Sequence, residues 1–118
     1  MIIVRQKEHL LNRISFSTTA SGGSFQVVPP QVFDSYFKQI IVTPATWLGL
    51  TPTGYNFSIS DDVGEIFREN DVTGVLNTVI DSEGNYKPPF ELPVEGAVTL
   101  DGEFSTRDEA FTIRIVYI

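Results

Sequence analysis

The chain has no cysteine, one histidine, one methionine and one tryptophan among its 118 residues. Missing thiols exclude disulfide staples, thiolate nucleophiles and thiolate metal ligands, so burial alone must hold the fold together. A triad or a histidine-rich metal centre would depend on His9, which sits beside Glu8 in a segment of mixed character, and a surface histidine is the plainer reading. Hydroxyls such as Ser15, Ser17 and Ser58 have no recognisable base near them in sequence. No apolar run approaches the roughly 18 to 20 residues of a membrane helix, and Met1 to Glu8 lacks the charged-then-apolar order of a secretion signal. A soluble, unprocessed protein is therefore expected, with no membrane partner. Basic residues are scarce too: 8 against 15 acids, a formal charge of -7. That balance disfavours a grip on a phosphate backbone, so no nucleic-acid partner is expected.

The charge that is present is unevenly spread. Residues 1–53 hold Arg5, Lys7, Arg13 and Lys38 against Glu8 and Asp34, a balance of +2, whereas residues 54–118 sum to -9. The N-terminal half suits an acidic partner surface while the remainder stays solvated. The length fits one domain, and nine phenylalanines with 42% hydrophobic residues suffice for its core.

Strand signals dominate, and they centre on Gly54 to Phe67. Tyr55, Phe57 and Ile59 fall on one face of an extended chain, with Asn56, Ser58 and Ser60 on the other. Asp61-Asp62-Val63-Gly64 then supplies side chains that bond their own backbone and a glycine free to take positive φ, which predicts a turn. After it a loop is expected, with room for at most one aspartate-capped helical turn starting over residues 62–67 and ended by Asn70-Asp71 and Gly74. Upstream, Ile14, Phe16 and Thr18 oppose Ser15 and Ser17 in a strand over Arg13 to Thr19. Ala20 to Ser24 is a flexible connection without the lysine or spacing of a phosphate-binding loop. Phe25 to Val28 is a short strand stopped by Pro29-Pro30, a pair suited to an edge or a crossing between sheets. Tyr36 to Thr43 becomes apolar on both faces, as in a central strand. Residues 44–54 form a loop with the sole tryptophan. Val75, Val79 and Ile80 suggest a weak strand, and Tyr86 to Phe90 a stiff extended piece. Val94, Gly96, Val98 and Leu100 share the face of one strand, followed by a turn at Asp101-Gly102. Phe111, Ile113, Ile115 and Tyr117 share the face of the last.

About seven or eight such strands, with proline and glycine punctuation and almost no helical periodicity, predict an all-β antiparallel sandwich or jelly roll. It is expected to span residues 13–118. Residues 1–12 form either an N-terminal arm or a strand of the chain's own sheet.

No catalytic, cofactor-binding or metal-ligating residue is assigned, and no enzymatic activity is expected. The cluster Asp61, Asp62, Glu65, Glu69 and Asp71 offers oxygen ligands for calcium, but neither it nor Asp81 to Asn85 has the helical calcium-loop spacing, and turn formation explains both. Trp47, Tyr55, Tyr86 and Phe90 could line a sugar-binding face, against the commoner fate of core packing.

The segment Tyr55 to Ile66, with Leu92-Pro93-Val94-Glu95-Gly96-Ala97-Val98-Thr99-Leu100 and the terminal Thr112 to Ile118, resembles small tailed-bacteriophage virion proteins of the head cement or decoration type. These carry a Tyr-x-Phe-x-Ile-x-Asp-x-x-Gly strand and turn, a Pro-x-x-Gly-x-Leu-Thr strand and a final strand ending in an aromatic. Residues 1–53 carry no part of the pattern. The resemblance implies a virion structural subunit without catalytic residues, a homo-oligomer on the capsid shell whose partner is the major capsid protein or another virion protein. The alternatives are a phage tail or adaptor component and a carbohydrate-binding module. Candidate contact residues are Ile2, Ile3, Arg5, Lys7 and Arg13 from the basic half, with Trp47 as a loop anchor.

Overall fold

The computed structural model describes residues 11–20, 24–44, 54–81, 83–87, 89–104 and 109–118, and no helix occurs among them. Nine strands follow in order: β1 (Asn12–Ala20), β2 (Ser24–Val27), β3 (Val32–Pro44), β4 (Tyr55–Ser60), β5 (Glu65–Val72), β6 (Leu76–Asn77), β7 (Leu92–Ala97), β8 (Thr99–Phe104) and β9 (Glu109–Tyr117). They form two antiparallel sheets. One runs β1-β9-β3-β6, with β7 also on β3, and the other runs β2-β8-β4-β5.

The alternation of side chains decides what lies between them. From the first sheet, Phe33, Phe37, Ile40, Val42, Phe111, Ile113 and Ile115 are buried; from the second, Phe25, Tyr55, Phe57, Ile59 and Leu100. Rings join the two layers, Phe25 to Phe111 at 5.0 Å and Tyr55 to Phe111 at 5.3 Å between centroids. Each such apolar side chain withdrawn from water contributes about 1.5–3 kcal/mol, which lets a chain without disulfides hold a two-layered body. Tyr55 fits inside because its hydroxyl donates to the Gly74 carbonyl at 2.7 Å. Burial also pushes its phenol well above the ordinary tyrosine range.

β3 is central, with β9 along one edge and β7 then β6 along the other. A register shift between Phe37 and Gln39 re-phases it, so inward residues run Phe33, Phe37, then Ile40 and Val42. That bulge is why the segment has apolar residues of both parities. Pro29-Pro30 does mark a crossing, since β2 lies in one sheet and β3 in the other.

Four expectations are corrected. Glu65 to Val72 is a strand and not a loop with a helical turn, because Ile59 pairs with Phe67 and Ser58 with Arg68 across the Asp61–Gly64 turn. The stretch from Leu92 to Leu100 is two strands in different sheets. β7 pairs with β3, the chain crosses at buried Val98, and β8 pairs with β4 and β2. Asp101-Gly102 is no turn but mid-strand, where the Phe25 ring lies over Gly102, so close that an added Cβ would sit 2.1 Å from the ring. The weak strand near Val75 to Ile80 shrinks to Leu76–Asn77 and a single bridge from Ile80 to Tyr86.

Candidate functional site

The sandwich has two outer faces; the first carries Arg13 and Arg114 at its β1-β9 end and the exposed pair Asp34 and Glu95 at its β3-β7 end, and the second carries mainly acids. On the first sheet the outward row is set by pairing Arg13 with Val116, Ser15 with Arg114, and Ile41 with the same Arg114 on its other side. Arg13 and Arg114 thus lie diagonally across neighbouring strands. Together with Leu11, Ser15, Gln39, Ile41 and Val116 they line a shallow depression of about 270 Å³. No carboxylate lines it, and neither arginine has an ion-pair partner among the described residues. Gln39 Nε2 donates to Asn77 Oδ1 at 3.0 Å and fixes the floor toward β6.

The second sheet carries acids outward. Gln26, Asp101, Ser58 and Arg68 form one cross-strand row, and Ser24, Glu103 and Asn56 the next. Its groove, about 540 Å³, is lined by Glu65, Asp101 and Glu103 with Arg68 as the one cation. Arg68 is engaged, donating to Glu65 Oε1 from Nη2 at 2.6 Å and from Nε at 3.0 Å. This hydrogen bonding holds the Glu65 carboxyl below the usual carboxylate range. A pair so exposed adds little to stability, so its role is to neutralise part of an acidic surface.

The acidic turns do backbone work. Asp61 Oδ1 accepts from Val63 N at 2.8 Å and Gly64 N at 3.3 Å, while Oδ2 accepts from Glu95 N at 3.0 Å. These bonds, the one from Glu95 foremost, lower its carboxyl below the ordinary value. Asp81 Oδ1 likewise accepts from Glu83 N at 3.0 Å and Asn85 N at 2.8 Å. Asp61 and Asp81 thus act as acceptors for their own turns, and among the described residues no group of three or more His, Asp or Glu is placed to hold a metal ion.

Of the candidate contact residues, Arg13 lies on the basic face, and Ile2, Ile3, Arg5, Lys7 and Trp47 lie outside the described residues, as do His9 and the arm-or-strand question. Of the aromatics offered for a sugar-binding face, Trp47 is outside the described residues and the other three do not share a surface state. Tyr55 is 2% exposed and Tyr86 75% exposed, while Phe90 packs edge-on against Phe67 at 5.7 Å. Arg114 was not among the sequence candidates, although its position between Ile113 and Ile115 already turns it away from the core.

No protein-family model matches the chain, and no curated protein matches it in sequence. Among solved structures, that of infectious bursal disease virus, Gx strain, matches over 92% of this chain and 31% of its own, at 11% identity and a TM-score of 0.33. This chain thus spans about a third of that one's length, and a likeness of this degree does not establish a shared fold.

Proposed function

We propose that the protein is a virion structural subunit of the bacteriophage head cement or decoration kind, which binds the outside of a capsid shell by protein contacts and catalyses nothing. The jelly roll is the finer form of the fold that accompanies this reading. One observation carries it: a carboxylate-free depression at the β1-β9 end of one outer face, with two arginines that have no ion-pair partner among the described residues, and an acidic groove on the other outer face. A cement subunit needs such sidedness, since one surface docks on neighbours and its opposite faces water. Repetition on a symmetric shell multiplies weak contacts through avidity, so a modest face suffices.

Co-sedimentation with empty shells of the cognate major capsid protein tests the reading. Arg13→Glu combined with Arg114→Glu should lower shell occupancy at least tenfold while the circular dichroism spectrum stays unchanged. Wild-type binding should weaken as salt rises. Unchanged occupancy in the charge-reversed variant would overturn the assignment of this face.

A further inference from the structure

Every sheet has two edges, and an unpaired edge strand is a template on which another strand can pair. Three edges of this sandwich are guarded. β2 is four residues long and runs into Val28-Pro29-Pro30. β5 carries Glu65, Arg68, Glu69 and Asp71 and is interrupted by two register shifts against β4. On the β6/β7 side, β6 has two residues, and β7 contains Pro93 and is capped at Glu95, whose N–H donates to Asp61 Oδ2 and whose carbonyl accepts from Asp62 N at 3.2 Å.

β1 has no such guard. It runs nine residues in unbroken register against β9, contains no proline and one charged side chain, Arg13, and nothing pairs with its second edge among the described residues. On its inward side Ile14 and Phe16 are only partly buried, packed against the core from the rim.

We infer that this edge pairs with β1 of a second copy of the chain, antiparallel about a two-fold axis through Phe16. The register follows from the strand itself. Antiparallel partners must put inward side chains opposite inward ones, and only pairing centred on Phe16 also uses the whole of Asn12–Ala20. It sets Phe16 against Phe16, Ile14 against Thr18, Ser15 against Ser17, and Arg13 against Thr19. The half-covered Ile14 and Phe16 rims then close on each other, and hydroxyl meets hydroxyl on the outer side. The sole charge faces a threonine, so no like charges oppose, and the contact closes on itself without growing into a fibre. Main-chain bonding adds roughly one hydrogen bond per residue pair. The result is one continuous sheet that doubles the basic face, bringing two copies each of Arg13 and Arg114 to one surface. The dimer does not depend on shell binding, and its test reads solution mass alone.

Size-exclusion chromatography with light scattering should give twice the chain mass for the wild type at tens of micromolar. Ser15→Lys with Ser17→Lys puts like charges opposite each other at exposed positions and should give the single-chain mass with an unchanged circular dichroism spectrum. Ser15→Glu with Ser17→Lys puts opposite charges there in this register only, and should restore the double mass. A wild-type monomer overturns the inference. So does a dimer that survives the double lysine variant, a charge-swapped variant that stays monomeric, or a concentration-dependent ladder of larger species.

Discussion

The two flanks of the first sheet differ in how their edges end. At β7 the chain folds its own Asp61–Gly64 turn over the edge and uses one carboxylate to hold three backbone N–H groups. At β1 a strand of similar exposure is left bare among the described residues. The lesson is that closing an edge takes specific residues, here an aspartate and a glycine that admits it, and β1 has neither. Where such residues are missing along nine regular positions, the edge is free for a partner.

The sharpest way to break the closed flank is Gly96→Ala. Gly96 has φ +90, and a Cβ there would lie 1.9 Å from Asp62 Oδ2 and 2.3 Å from its Cγ. The variant must strain its backbone and displace the Asp62 carboxylate, at about 2–3 kcal/mol, or roughly 10 °C in Tm by calorimetry. Asp61→Ala removes the turn's acceptors and should cost about 1–2 kcal/mol in urea unfolding at neutral pH. Because the folded Asp61 carboxyl titrates below its ordinary value, that difference is complete above the unfolded value, about 4, and shrinks as pH falls through the folded one. A gap that stays constant down to pH 2 would show that the charge on Asp61 is irrelevant. Ser35, opposite Val94 of β7, has a buried hydroxyl with no partner among the described residues. Ser35→Ala should therefore gain about 1 kcal/mol in the same urea assay. On the open flank Ser17→Val should change monomer stability by less than about 0.5 kcal/mol, since that side chain faces solvent and closes nothing.

Much of the fold was legible because period-two alternation is a local signal. β1, β4 and β9 follow it, and the Asp61–Gly64 turn follows from aspartate and glycine chemistry. The crossing at Val98 was not legible. Both sheets face the same core, so Val94, Val98 and Leu100 keep pointing inward whether or not the strand changes sheets, and the pattern cannot register the switch. β5 was hidden because guarding an edge takes charged residues, and Glu65, Arg68, Glu69 and Asp71 make a strand look like a loop. The basic face was half visible. Arg13 stood out by charge, but its meeting with Arg114 depends on the pairing of β1 with β9, which joins residues a hundred positions apart.

The tyrosine sealed under Gly74 gives the molecule its own optical alarm. In alkaline solution an ordinary phenol ionises near pH 10 and absorbs strongly in the ultraviolet, yet Tyr55 holds its proton for as long as the layers stay shut. After a jump to strongly alkaline solution the Tyr55 phenolate should appear only at the rate of opening, a slow phase that Tyr55→Phe removes. Opening can then be timed without attaching a dye.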